Sequence, residues 1–236
     1  MPNLSSLKKL PLIISLCLSS LILLSWLHPY SRQYWDIIDE YIFFFANGSL
    51  EDNQHWQYFW AIANNRAFDL IPACLILSLY AHFCMNNKDH LSTHIANGFF
   101  MAIYCFLSLQ IAHILMDFDR KSPTLILEPA YLLSELVPSI KAKDMSGRSF
   151  PGDHATILLM VSYFMLFYCG RKYALSGLFI TLIFSTPRLV SGAHWLTDIL
   201  VAAPIIAIFA VGIAIFTPIQ RVSVGYISKQ INKLLN

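Results

Sequence analysis

Six segments of the sequence are apolar over nearly the length that a helix needs to cross a lipid bilayer. A bilayer core of about 30 Å is crossed by about 20 helical residues, and it offers the backbone no hydrogen-bond partners. The segments run over about 10–27, 68–85, 95–116, 153–170, 174–190 and 196–216. The sequence therefore predicts an all-α, polytopic membrane protein with about six transmembrane helices.

The composition supports this class and excludes others. Of the 236 residues, 56% are hydrophobic and 13% are charged, which is more apolar surface than a soluble domain of this length can bury. A formal net charge of +2 gives no indication of a nucleic-acid partner. The 5 cysteines lie in apolar segments without the C-x2-C spacing of metal sites, so we expect no metal and no other cofactor. We expect one domain over residues 1–236 and leave the oligomeric state open.

Two other stretches are predicted to form amphipathic helices at the membrane surface. Residues 34–45 are rich in aromatic side chains but carry Asp36, Asp39 and Glu40, which fall on one polar stripe of a helix. The tail, 221–236, is cationic and amphipathic. Both are expected to lie on the bilayer rather than to cross it.

A long polar loop, about 117–152, separates the third and fourth spans. Two spans separate it from the turn at 190–196, so the loop and the turn lie on the same side of the membrane. Lys8, Lys9 and the short basic loop at 171–173 favour an interior position for the termini. We expect a bacterial inner-membrane protein whose loop and turn face the periplasm.

The turn carries the pattern R-x5-H-x3-D, formed by Arg188, His194 and Asp198. A histidine and an aspartate four residues apart share one face of a helix, so the carboxylate can orient the imidazole. An arginine just upstream can bind a phosphate through two parallel hydrogen bonds. Ionisable residues at a membrane surface in this spacing predict a functional site.

The polar loop supplies two further groups. Residues 149–154 contain Gly152, which allows close approach of a backbone N–H to an anion, and His154, a candidate proton donor. Farther upstream, Arg120 and Lys121 form a pair of cations. These cations are candidates for phosphate binding, and the alternative is that they anchor the chain at the membrane surface.

The three groups, in this order, resemble the motifs K-x6-R-P, P-S-G-H and S-R-x5-H-x3-D of the type 2 phosphatidic acid phosphatase superfamily. The third group has the family spacing, with Pro187 in place of the serine. The second reads P-G-D-H, so Asp153 stands where glycine is usual. In the first, Arg120 fits the arginine, and His113 stands where the lysine is expected.

Several polar residues also have structural interpretations. Asp153 is interpreted as an N-cap of the fourth span, and His113 as a polar residue of the third. Arg66 and Asp69, three residues apart at the start of the second span, either form a local ion pair or line the pocket.

The resemblance implies a reaction through a phosphohistidine. His194 attacks the phosphorus, Asp198 sets the tautomer of its imidazole, and His154 protonates the leaving oxygen. The groups expected to neutralise the phosphate oxygens are Arg120, Lys121, Arg188 and the backbone N–H of Gly152.

Within this superfamily the chain is most similar to the lipid A phosphotransferase branch, through residues 64–69, 120–125 and 149–154. The branch implies that undecaprenyl pyrophosphate donates a phosphoryl group to the 1-phosphate of Kdo-lipid A. Candidate residues for binding the second lipid are Arg66, Lys141, Lys143 and Arg148. The alternative for these cations is a solvated charged loop.

Two other functions fit parts of the pattern. A phosphatase of the same fold, acting on undecaprenyl pyrophosphate or on lipid A, would share every catalytic residue. A non-enzymatic membrane scaffold or lipid transporter would agree with the incomplete first motif.

Overall fold

The computed structural model describes residues 8–116 and 118–235, and within them the fold is helical, without a β-strand. In chain order the helices are α1 (Lys9–Leu27), α2 (Pro29–Gly48), α3 (Gln54–Ala63), α4 (Leu70–Asn86), α5 (Leu91–Leu115), α6 (Leu133–Leu136), α7 (Asp153–Tyr168), α8 (Arg171–Val190), α9 (Ala203–Phe216) and α10 (Ile219–Leu235). The prediction of an all-α fold is confirmed. Residue 117, at the start of the predicted loop, and residue 236, at the end of the predicted tail, lie outside the described residues.

Over the described part of the chain, five helical segments are long and apolar enough to cross a membrane. They are Lys9–Leu27, Arg66–Asn86, Lys88–Leu115, Arg171–Val190 and Asp198–Phe216. The remaining predicted span corresponds to α7, an apolar helix of only 16 residues. The short helices α3 and α6 are additions that the sequence pattern does not predict.

The centre of the bundle is α7, which packs against α8, α9 and α5. Met160, Phe164 and Met165 of α7 are almost completely buried. Close packing of α7 on α8 depends on Gly177, where a Cβ atom would lie 2.5 Å from the Ser162 hydroxyl. A membrane bundle has little hydrophobic driving force between its helices, so such close backbone contact contributes much of the association.

The helix α2 turns a mixed stripe towards the rest of the protein. Its buried residues are Asp39, Phe43 and Asn47, spaced by four. Asn47 donates to the carbonyl oxygens of Tyr131 and Val190, at 3.0 Å each, and accepts from the Tyr131 N–H at 2.7 Å. The predicted surface helix is thus tied to the polar loop and to the end of α8. Its acids are not one solvent-facing stripe, because Asp39 is buried.

A small second core fixes the polar loop on the bundle. Side chains from the turn after α2, from α3, from the loop around α6, and from the end of α8 contribute to it: Leu50, Trp60, Ala61, Ala63, Leu133, Val137 and Val190. The loop is therefore packed in place beside the start of α7 and the end of α8, where the sequence motifs lie.

A long apolar cleft of about 710 Å³ lies between α4, α5 and α7. Its lining begins at Ala73 and Ile157, about one helical turn from Asp69 and His154. It ends near Met85, at the far end of α4.

Candidate active site

The structure brings two of the three predicted groups to one small cavity. Gly152 and His154 at the start of α7, Arg188 in the last turn of α8, and His194 in the following turn line this cavity together. The last turn of α8 runs into a tight reversal at Gly192, whose φ of +69° favours glycine. A Cβ atom there would lie 2.5 Å from the Thr124 side chain, so the reversal packs directly against the polar loop.

His194 is oriented by a backbone carbonyl. Its Nδ1 lies 2.8 Å from the carbonyl oxygen of Ser149, which can only accept, so Nδ1 carries the proton. The other nitrogen, Nε2, is then the unprotonated one. Asp198 Oδ2 lies farther from Nδ1, at 3.4 Å, and it accepts from the Trp195 N–H at 2.9 Å.

The predicted helical relation between His194 and Asp198 is wrong in detail. His194 lies in a turn, and a π-helical turn, Asp198–Ala202, begins only at the aspartate. The two side chains still approach each other, because the turn folds back towards the start of that segment. Such π-helical turns are often found at functional sites.

His154 is oriented by a carboxylate. Its Nε2 lies 2.8 Å from Asp69 Oδ2, and the same carboxylate accepts from Arg188 Nη2 at 2.8 and 2.9 Å. Asp69 therefore pairs with His154 and Arg188, and not with Arg66 as the local ion-pair interpretation expects. The Nδ1 atom of His154 remains to exchange a proton with a substrate.

Arg188 is almost fully buried and makes further contacts with the chain before α4. Its Nη1 donates to the carbonyl oxygen of Asn64 at 3.1 Å and to the Asn64 side-chain oxygen. Asn64 thus holds one nitrogen of the guanidinium, and Asp69 holds the other.

Gly152 packs the start of α7 against the catalytic turn. A Cβ atom at this position would lie 3.4 Å from the Asp198 carbonyl oxygen and 3.7 Å from His194 Nδ1. Its N–H donates to that carbonyl at 3.3 Å, so it is already engaged. The next three N–H groups, at 153–155, lack an acceptor within the helix and give the start of α7 a partial positive charge beside the cavity.

Asp153 pairs with His113, whose Nε2 lies 2.9 Å from Asp153 Oδ1. The N-cap position of α7 belongs to Gly152, and no side chain caps it, so the N-cap interpretation of Asp153 is wrong. His113 and Asp153 both depart from the family motifs, and they contact each other.

Arg120 and Lys121 lie away from the small cavity. They line a neighbouring polar cleft beside Trp195. The Arg120 guanidinium binds the carboxylates of Asp39 and Asp198, at 2.6 and 2.7 Å, so it is not directed at the cavity. Burial raises the pKa of the Asp39 carboxyl, and Arg120 acts against that rise. The predicted contact of Arg120 with substrate phosphate stays a prediction.

Of the four cations predicted to bind the second lipid, Lys143 and Arg66 are near enough for their charges to interact with that of Arg188. Backbone pairing between Asn65 and Ala142 holds this part of the loop beside the start of α4. Burial lowers the pKa of the Lys143 ammonium, and repulsion from Arg188 and Arg66 adds to this effect. Three cations therefore lie near one another at this edge of the site.

Lys141 and Arg148 are exposed. The Lys141 carbonyl oxygen accepts from the Asn65 side chain at 3.0 Å, and the Arg148 carbonyl oxygen accepts from the Ser146 hydroxyl at 2.7 Å. In both residues these contacts use the backbone and fix the shape of the loop.

Comparison with known proteins agrees with this geometry. A sequence model of the PAP2 superfamily matches residues 113–222. The lipid A 1-diphosphate synthase of Escherichia coli strain K12 is 34% identical over 229 residues, which are 95% of each chain. The chain belongs to the PAP2 superfamily. It is a bacterial membrane enzyme that acts on phosphate groups, and no solved structure matches it.

Part of the site lies outside the matched PAP2 segment. Asp39, Asn64 and Asp69 precede residue 113, yet they contact Arg120, Arg188 and His154. Sequence reasoning missed Asp39 and Asn64 in these roles. The pair of asparagines before Arg66 could have indicated a role for Asn64. Nothing in the sequence indicated a role for Asp39 beyond its place on α2.

Proposed function

We propose that this protein transfers a phosphoryl group from undecaprenyl pyrophosphate to the 1-phosphate of Kdo-lipid A, at the periplasmic face of the inner membrane. The observation that carries the chemistry is the hydrogen bond from His194 Nδ1 to the Ser149 carbonyl. It leaves Nε2 as a nucleophile in a cavity shared with Arg188 and His154. The similarity to lipid A 1-diphosphate synthase supports the choice of lipids.

In the first step, His194 Nε2 attacks the terminal phosphorus of the donor. The bond from phosphorus to the bridging oxygen breaks, and His154 gives its proton to that oxygen, so undecaprenyl phosphate leaves. Arg188 and the start of α7 stabilise the charge that spreads over the equatorial oxygens. The imidazole keeps its Nδ1 proton and becomes cationic, and the Ser149 carbonyl and Asp198 stabilise that charge.

In the second step, a phosphate oxygen of the acceptor attacks the phosphorus of the phosphohistidine. The acceptor attacks through a protonated phosphate oxygen, whose proton passes to His154. The nitrogen–phosphorus bond breaks, and both histidines return to their starting forms. The product is lipid A 1-diphosphate. Water in place of the acceptor would give inorganic phosphate, so the catalytic residues alone do not separate a transferase from a phosphatase.

The cations near Arg188 favour a second phosphate. Lys143 and Arg66 form no hydrogen bond or salt bridge through their charged groups with the described part of the chain. Lys143 is half-buried, which is unfavourable for an ammonium unless an anion binds there. We assign the acceptor phosphate to this position and the hydrocarbon chain of the donor to the apolar cleft.

A balance of labelled phosphate tests the proposal. Purified protein receives undecaprenyl pyrophosphate labelled at the terminal phosphate, with and without Kdo-lipid A, beside a His194→Ala control. We expect the label on lipid A in the wild type and no label transfer in the control. Release of inorganic phosphate at a rate indifferent to lipid A would establish a phosphatase instead.

A further inference from the structure

Arg120 contacts the catalytic turn through its side chain. Nη1 donates to Asp198 Oδ1 and to the Thr197 hydroxyl, both at 2.7 Å, while Nη2 donates to Asp39 Oδ2 at 2.6 Å. The guanidinium is 4.9 Å from the ring centroid of Trp195, within the range of a cation–π contact.

Asp39 completes the network from α2. Oδ1 accepts from the Thr197 N–H at 2.9 Å, and Oδ2 accepts from the Thr197 hydroxyl at 2.6 Å as well as from Arg120. The side chains of Asp39 and Asp198 are fully buried, and that of Arg120 is 10% exposed. A buried charged group without its partners is strongly unfavourable, so the position of each group depends on the others.

The backbone of Arg120 reaches His194 by a second route. Its carbonyl oxygen accepts from the Ser149 N–H at 2.7 Å and from the Ser149 hydroxyl at 3.1 Å. The carbonyl oxygen of Ser149 in turn accepts from His194 Nδ1. One residue therefore fixes both groups that face Nδ1, the Ser149 carbonyl and the Asp198 carboxylate.

We propose that Asp39 and Arg120 are positioning residues for His194, and that both act through the catalytic turn, Arg120 by way of Asp198 and Ser149. This inference rests on the proposed function only in taking His194 as the nucleophile. It brings α2, a helix before the matched PAP2 segment, into the catalytic machinery.

The charges of the network suit the chemistry at His194. Two carboxylates, Asp39 and Asp198, surround one guanidinium, so the network has one more anionic than cationic group. An imidazole that gains a phosphoryl group at Nε2 while keeping its Nδ1 proton becomes cationic. A buried excess of negative charge behind it stabilises the phosphoenzyme and the transition state that leads to it.

Steady-state kinetics of the purified full chain test the inference. The substrate is undecaprenyl pyrophosphate, and the readout is total loss of terminal phosphate, whichever acceptor receives it. For Asp39→Asn we expect kcat to fall about 10²-fold with little change in KM, because the nucleophile is misplaced while the phosphate contacts remain. The matched control is Asp36→Asn on the same helix, whose ion pair with Arg32 is partly exposed. It should behave as the wild type.

A second set of variants separates positioning from phosphate binding. Arg120→Lys keeps the charge but loses the paired geometry, so it should lower kcat, and the double variant Asp39→Asn/Arg120→Lys should be no worse than the more damaging single variant. A large rise in KM with unchanged kcat for Arg120→Lys would overturn the inference, because it would place the guanidinium on the substrate.

Thr197→Val is a second variant, needed in case Asp39→Asn does not fold. It keeps the side-chain volume and removes only the hydroxyl between Asp39 and Arg120. It should also lower kcat. Wild-type kcat in both Asp39→Asn and Thr197→Val would refute the positioning role. Loss of the donor's phosphate to water rather than to lipid A would refute the transferase and leave the positioning role standing.

Discussion

The two histidines of the site are held by different kinds of partner. His194 donates to a backbone carbonyl, which fixes its neutral tautomer, whereas His154 faces the carboxylate of Asp69. The three motifs together predicted that Arg188, His194 and His154 serve one site, and these residues line one cavity. It did not predict the Ser149 carbonyl, because a main-chain acceptor leaves no trace in a residue pattern.

The pairing of His154 with Asp69 predicts a dependence on the leaving group. Asp69→Asn weakens the orientation of His154, so we expect turnover of the lipid pyrophosphate to fall about 10²-fold or more. An aryl phosphate whose leaving oxygen needs no proton should lose much less activity. Equal losses on both substrates would show that Asp69 acts through Arg188 instead. Asp52→Asn, the same change at an exposed position outside the site, is the control.

Lys143 predicts a pH-dependent affinity for the acceptor. The cationic form binds the anion, and the lowered pKa means that this form is lost at a lower pH than for an ordinary lysine. Affinity for Kdo-lipid A should therefore be present below that pKa and fall as pH rises through it. Lys143→Arg should abolish the fall, because arginine stays charged. Lys141→Arg, at an exposed position two residues earlier, should leave the profile unchanged.

At the level of elements, α2 shows what helical periodicity can and cannot predict. The aromatic and acidic pattern of 34–45 predicted a helix, and α2 contains it. The pattern could not place Asp39 and Asn47 on the buried face, because their partners Arg120 and Tyr131 lie 81 and 84 residues away. A polar stripe looks the same in sequence whether water or a distant arginine faces it.

Replacement of Asn47 by alanine should lower stability more than the small size of the side chain suggests. Asn47→Ala removes two donated bonds and one accepted bond and leaves the Tyr131 N–H and two carbonyl groups without this partner. Each unsatisfied buried group costs about 1–3 kcal/mol, so unfolding in detergent should occur at clearly lower temperature or denaturant concentration. Ser49→Ala, two residues later and exposed, should change stability by less than about 0.5 kcal/mol.

At the level of the whole molecule, the sequence predicted the assembly of the site but not its surroundings. Counting spans placed the loop and the 190–196 turn on one side, and Arg120, Ser149 and His194 do meet there. The apolar cleft was not predictable, since its lining residues on α4, α5 and α7 have the same composition as residues that face lipid. Whether such residues line a cleft or pack against a neighbouring helix depends on the angle between the helices, which the sequence pattern does not give.

Because we assign the apolar cleft to the hydrocarbon chain of the donor, blocking the cleft should affect long-chain and short-chain donors differently. Ala102→Phe fills part of it, so KM for the long-chain donor should rise, while a short-chain pyrophosphate that does not reach Ala102 should be turned over as before. Ile103→Phe is the matched control, because the next residue of α5 is exposed and does not line the cleft. An equal effect of both substitutions would exclude the cleft as the place of the hydrocarbon chain.

The carboxylate of Asp69 lies between Arg188 and His154, where it neutralises the arginine before any substrate arrives. A bilayer presents a high local concentration of singly charged phosphodiester headgroups, which an unshielded arginine would attract. Because an incoming ligand must compete with a built-in anion, a terminal phosphate or pyrophosphate with more charge has the advantage. Asp69 thus acts as an internal competitor that favours a scarce substrate over the abundant lipids that surround the enzyme.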